Sequence, residues 1–148
     1  MNILHVVPSI SPIRGGSTVA VLEIVRSLRQ AGVNTEIATT NDDGPGVLDV
    51  PLGQKFEFAG LPVTCFPRWS PPISALSEFA VSRSHTRWLR RHLAEHDLVV
   101  IHSLFSYVCT AAGQVARSQG KPYVICPHGH FAPCVIQQKR TKKMVYHR

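Results

Sequence analysis

Apolar residues in this chain fall into five short, nearly continuous runs, with longer stretches between them in which they recur at helical spacing. The runs at 3–7 (broken only by His5), 35–40, 61–66, 97–102 and 122–126 read as strands. They are strand-length, most are rich in β-branched residues, and the first is apolar enough to be buried on both faces. Pro8 and Pro67 close the first and third. Val19, Val21, Leu22, Ile24, Val25 and Leu28 form a helical stripe with Glu23, Arg26 and Arg29 on its wet side. Ser17 or Thr18 is placed to cap its start, and Gly32 to end it in a left-handed turn. Residues 74–95 predict one helix or two joined helices, with Arg83, Arg87, Arg90 and Arg91 on the solvated side. Residues 104–119 predict a small-residue helix capped by Gly120, and 135–148 a basic helix. Residues 41–46 are a loop by composition, and Phe56-Glu57-Phe58 is either an edge strand or a flap over the crevice.

Strands alternating with helices imply an α/β fold: a Rossmann-like, doubly wound, mostly parallel sheet with helices on both faces. Right-handed crossovers make 3-2-1-4-5 the simplest order for the five strands, and ligands of such sheets bind beyond the carboxyl ends of the strands where the winding reverses. Three loops meet at that edge: residues 9–16, residues 103–105 and residues 128–131.

Composition narrows the class. The 148 residues are 44% hydrophobic and 17% charged, as in a globular domain with a real core. No apolar run is long enough to span a bilayer, and the start lacks the basic leader of a signal peptide, so the expected location is cytoplasmic. Cys65, Cys109, Cys126 and Cys134 contain no Cys-x-x-Cys pair; the first three sit in apolar surroundings as small core residues, and Cys134 lies in a loop. The net charge of +7 is uneven: residues 1–97 hold equal numbers of acids and bases, whereas 98–148 hold seven bases and no acid. That asymmetry points to an anionic partner.

The loops at the shared edge carry the unusual chemistry. In Arg14-Gly15-Gly16-Ser17 the backbone and the guanidinium could cradle a phosphate or sugar at a helix start, or the glycines could serve only the turn. The dinucleotide fingerprint and the Walker sequence are both missing, and Asp42 or Asp43 as an imitation of a ribose-binding acid does not by itself restore a dinucleotide reading. A nucleotide-dependent oxidoreductase is therefore disfavoured. His102 and Ser103 end the fourth strand, and Pro127-His128-Gly129-His130 follows the fifth. Histidine at such strand ends suits acid–base work or hydrogen bonding to a hydroxyl, with a core histidine as the plainer role for His102. His128, between Pro127 and Gly129, has a ring able to point into a cleft. No carboxylate lies near these histidines, so no metal is expected, and no close acidic pair suggests a glycosidase. Trp69 could stack on a sugar ring or base, but packing is its expected role. The arginines of 83–91 lack the aromatic interleaving of a nucleic-acid surface, and no nucleic-acid partner is expected.

In combination these segments resemble the start of GT-B-fold glycosyltransferases of family 4. The resemblance rests on Met1-Asn2-Ile3-Leu4-His5-Val6-Val7-Pro8, Gly15-Gly16, the helix at 19–28, Ala31-Gly32-Val33 and Ala38-Thr39-Thr40. It continues through the strand ending in His102-Ser103, Pro127-His128-Gly129, and the Lys-rich stretch 139–146, and so covers essentially the whole chain. It implies the N-terminal, acceptor-side Rossmann-like half of a GT-B fold over 1–148, truncated near 135–148, with the C-terminal donor-binding domain missing. It also implies retaining, metal-independent transfer from a nucleotide-sugar to a glycan or lipid-linked acceptor, without a cofactor. By position, His128 would be catalytic, contacting the transferred sugar near the reacting centre; Gly15 and Gly16 would approach the donor diphosphate or the acceptor, and His102 would line the cleft. Arg14, Ser17, Ser103, Gly129 and His130, taken from the same loops, complete the expected substrate- and phosphate-binding set. Such a half would be inactive without a donor-binding domain or partner chain. Its basic end would meet either an anionic lipid-linked acceptor at the inner membrane face or an acidic second domain. A non-catalytic binding module for phosphorylated or sugar ligands is the alternative.

Overall fold

The computed structural model describes residues 1–69 and 79–128. Its centre is β1 (Asn2–Ser9), followed by a 3₁₀ turn (Pro12–Arg14) and α1 (Gly16–Gln30). Next come β2 (Asn34–Thr40), the short pair β3 (Asp42–Asp43) and β4 (Gly46–Val47), β5 (Lys55–Phe58) and β6 (Leu61–Phe66). The described chain ends with α2 (Arg83–His92), β7 (Leu98–His102), α3 (Tyr107–Ser118) and β8 (Tyr123–Cys126). The main sheet has the order β5-β6-β2-β1-β7-β8. Every pairing in it is parallel except β5 with β6. The five expected strands thus lie in the expected 3-2-1-4-5 order, and the segment at 56–58 is an antiparallel edge strand.

Two apolar layers hold the sheet between helices. On one face Val7, Ile37 and Val63 pack with Val21 and Val25 of α1; on the other Leu4, Val6, Ala38, Val99 and Ile101 pack with Leu89 of α2 and Val108, Ala112 and Val115 of α3. Alternation along a strand sends neighbours to opposite faces, so β1 is apolar nearly throughout because both of its faces are covered. The fold is the Rossmann-like α/β arrangement its periodicity predicts.

Several boundaries differ from the expectation. Pro8 does not close β1, which runs on to Ser9; it lacks an amide donor, and the register with β2 breaks between Val6 and Ser9 instead. Ser17 and Thr18 do not cap α1. Gly15 occupies the cap position with φ 79°, no side chain caps the helix, and the Thr18 hydroxyl donates to the Ser9 carbonyl at 3.3 Å. The helix expected over 74–95 is, among the described residues, α2 alone, capped by Ser82 and followed by a 3₁₀ turn (Leu93–Glu95). The third helix starts at Tyr107 rather than 104, because the Ser106 hydroxyl accepts the Cys109 amide at 3.3 Å and caps it there. The segment expected as a loop at 41–46 takes part in a small ribbon over 42–47, Asp42 pairing with Val47 and Asp43 with Gly46. Cys65 and Cys109 are buried and Cys126 half-buried, burial pushing the thiols of the first two up to about 12. Trp69, expected to pack, is 57% exposed. Cys134 and the segment 135–148, expected as a basic helix, lie outside the described residues. Among those residues no helix is long and apolar enough to cross a membrane.

The β5–β6 hairpin offers a local test. Its two-residue connection, Ala59-Gly60, has φ of 51° and 78°. Both values are positive, which suits Asn-Gly and strains alanine. Ala59→Asn is expected to raise stability by about 1 kcal/mol, read as a higher urea midpoint at unchanged slope.

Candidate functional site

At the carboxyl edge of the sheet, β1 has β2 on one side and β7 on the other, and the chain winds away in opposite directions from this pair. A cavity of about 240 Å³ opens there. Its walls include Ser9 at the end of β1, Arg14 of the 3₁₀ turn, Ser17 and Thr18 in the first turn of α1, Asp42 from β3, His102 at the end of β7, and Ser103, Phe105 and Ser106 from the β7–α3 connection.

The β1–α1 loop is held by its own hydroxyls. Ser9 donates to the Asp42 carbonyl at 2.6 Å and accepts the Ser11 amide at 2.9 Å. Ser11 in turn donates to the Asp43 carboxylate and accepts the Ile13 amide at 3.2 Å, capping the 3₁₀ turn. Gly15 is required by its backbone conformation, which residues with a side chain rarely adopt. Gly16 has no such requirement, and a Cβ there would meet nothing within 4 Å. The first amides of α1 therefore start beside the cavity without a side-chain cap, a positive dipole end facing a polar recess.

Arg14 is committed to a partner. Its Nε and Nη2 donate to the two carboxylate oxygens of Asp42 at 2.6 and 2.8 Å, and Arg68 Nη1 donates to the same carboxylate. Arg68 also donates to the Gly44 carbonyl at 2.9 Å and the Gly46 carbonyl at 3.1 Å, tying the β3–β4 ribbon to the site. Asp42, considered above as a ribose-binding acid, is 2% exposed beneath these guanidiniums.

Opposite the glycines, Ser103 has φ 102° and its amide donates to the Cys126 carbonyl at 3.0 Å. An L-residue in that region stores strain, as residues at ligand-facing turns often do. The Cys109 thiol donates to the His102 carbonyl at 3.3 Å, so α3 fixes the end of β7.

His102 does not stand alone. Its Nε2 shares a hydrogen bond with His5 Nδ1 at 2.8 Å, and its Nδ1 shares another with His128 Nε2 at 2.8 Å. The three rings stack in sequence with 5.1 Å between successive centroids. The register explains the first link: His5 pairs with Val100 across the parallel ladder, and His102 lies two residues further along the same face. Burial lowers His5 to about 4. Burial, then repulsion from His5 and His128, lowers His102 to about 3. Both rings are therefore neutral at pH 7. His128 has φ 45° and its ring lies against His102 rather than standing unsupported in a cleft. It does not line the cavity itself but reaches it through His102.

Of the residues singled out in the sequence, Arg14, Ser17, His102 and Ser103 line one cavity; Gly15 and Gly16 lie between Arg14 and Ser17 in sequence without lining it, and His128 stands behind His102. Gly129 and His130 lie outside the described residues. His5, Asp42 and Arg68 were not assigned to the site. His5 could have been noticed as the one polar residue interrupting the first apolar run; nothing local marks Arg68. Among the described residues no three histidine, cysteine or carboxylate side chains are arranged to hold a metal ion.

The chain matches a family model described as "Glycosyl transferase 4-like domain" over residues 15–148. No curated protein matches it.

Proposed function

The chain belongs to the glycosyl transferase 4-like domain family, and from that premise we propose that it is the acceptor-side half of a retaining, metal-independent glycosyltransferase. In this reading a sugar moves from a nucleotide-sugar donor to a glycan or lipid-linked acceptor on the cytoplasmic side. The donor site sits on a further domain or a partner chain, and residues 1–148 alone do not turn over. The basic stretch at 135–148 meets an anionic acceptor, a membrane surface or that second domain.

The observation that carries this reading is the cavity at the winding reversal, bounded by the uncapped start of α1 on one side and by His102 and Ser103 on the other. Backbone amides at a helix start suit phosphoryl or other anionic oxygens. Gly16, whose small size the backbone does not require, leaves room for a ligand to approach the main chain. Arg14, held by Asp42, adds positive charge to the wall without swinging free. For a ligand that extends from the cavity past His102, His128 is the group proposed at the reacting centre, with Ser17, His102, Ser103, Gly129 and His130 contributing to binding.

Two measurements test this. The isolated chain should release no nucleotide from any of a panel of sugar nucleotides; turnover by the purified chain would overturn the half-enzyme reading. Titration with sugar phosphates, followed by amide NMR, should move Gly16, Ser17 and Ser103. Gly16→Val should then weaken binding by roughly 10-fold or more while leaving the melting temperature close to wild type, since its added Cβ enters open space. Unchanged binding in that variant would remove the glycine turn from the site.

A further inference from the structure

The His5–His102–His128 chain ends inside the protein. His5 Nε2 is fully buried and has no hydrogen-bond partner among the described residues. That dead end decides how the chain is polarised. With His5 and His102 neutral, each carries one N–H, so each link has one donor and one acceptor. Only two arrangements then satisfy both links. In one, His5 Nδ1 donates to His102 Nε2 and His102 Nδ1 donates to His128 Nε2. In the other every proton sits on Nε2, and both bonds run inward. The inward arrangement strands an N–H on His5 Nε2, in a residue 1% exposed. The outward arrangement leaves only a lone pair there. A buried N–H without an acceptor is the rarer and costlier defect.

We propose that the buried end of the chain holds all three rings in the Nδ1–H form, so that His128 meets a ligand as a hydrogen-bond donor from Nδ1 and not as a base. This builds on the reading of His128 as a site residue. It specifies the ligand atom His128 would take, an oxygen lone pair of a sugar hydroxyl or phosphoryl group. His5, 97 residues from His102 in sequence, becomes a positioning residue that reaches the site through it.

The test is made on the full chain without ligand, with histidine labelled in both ring nitrogens and two-bond proton–nitrogen correlations recorded at pH 7.5. All three rings should show the Nδ1–H pattern. An Nε2–H pattern on His102 or His128 overturns the proposal. His102→Phe removes the donor facing His128 Nε2, and His128 should then become a mixture of both tautomers. His102→Asn puts an amide N–H near the position of Nδ1, and should restore the Nδ1–H form of His128. If His128 has the same tautomer in the Phe and Asn variants, the chain does not control it. Because these spectra are read without ligand, a failed sugar-phosphate titration counts against the proposed function and leaves the tautomer result standing.

Discussion

Lowering the pH from 7 to about 5 should destabilise this domain by roughly 6 kcal/mol, with uptake of two to three protons on unfolding. Three histidines are buried in neutral form. Burial lowers His5 to about 4 and His85 to about 3, and burial with repulsion from neighbouring rings lowers His102 to about 3. In the unfolded chain each titrates near 6.5. Between roughly pH 6.5 and 4 the unfolded state therefore binds more protons than the folded one, and stability falls as the pH falls. Each group contributes about 1.4 kcal/mol per pH unit well inside that window, so three contribute roughly 4 kcal/mol per unit. Against a total of about 5–15 kcal/mol for an ordinary domain, one to two units exhaust most of the margin. His85 has no hydrogen-bond partner at either ring nitrogen among the described residues and packs edge-on against Phe66, so His85→Leu should remove about a third of the slope. Urea midpoints measured from pH 7.5 to 5 would show the dependence, and a flat profile would mean that these rings are not held neutral. Glu36, lowered to about 2 chiefly by its hydrogen bond with His96, loses its contribution only between about 4.5 and 2. That loss lies at the acid end, below most of the histidine window.

Asp42→Ala should be the most damaging single change at the rim of the cavity, costing about 3–5 kcal/mol. The Arg68 side chain is 2% exposed, and removal of the carboxylate takes from its buried guanidinium the counter-charge that Asp42 supplies, leaving the Gly44 and Gly46 carbonyls as acceptors. Desolvation of a buried ion deprived of this partner, rather than loss of one attraction, sets the size of the effect. Arg14→Ala should cost about 1 kcal/mol or less, because its side chain is 35% exposed and Asp42 retains Arg68. Thermal melting would separate the two variants, with a fall of roughly 10–20 °C for Asp42→Ala. A loss within 1 kcal/mol of wild type would show that the ribbon at β3–β4 does not depend on this cluster. The same carboxylate anchors Arg14 beside the cavity, so a stable Asp42 variant would also change the wall that the β1–α1 connection presents.

The secondary structure and the order of the five strands could be read from the chain because they rest on short-range rules. Side-chain periodicity identifies a strand within five or six residues, and the right-handed crossover then limits where each strand can join the sheet. The glycine loop, His102 and Ser103 were legible for the same reason: each sits where a strand ends, and strand ends of one polarity gather at one edge. Helix starts were less legible. The Ser106 cap and the Gly15 start depend on where the backbone turns away from the sheet, and several nearby residues offer equivalent side chains.

What the sequence by itself determined is the Rossmann-like α/β class, the 3-2-1-4-5 strand order, and the edge where the β1–α1 and β7–α3 loops converge. Tertiary structure alone decided which side chains meet there. His5 joins His102 across 97 residues, His102 joins His128 across 26, and Asp42 gathers Arg14 and Arg68 from 28 and 26 residues away. Periodicity says which face a residue occupies, but the partner on that face is set by register between strands and by where each loop closes, and neither is encoded within any one segment. The first apolar run shows the division: its strand was evident from composition, while the role of its one histidine required the neighbouring strand to be in place.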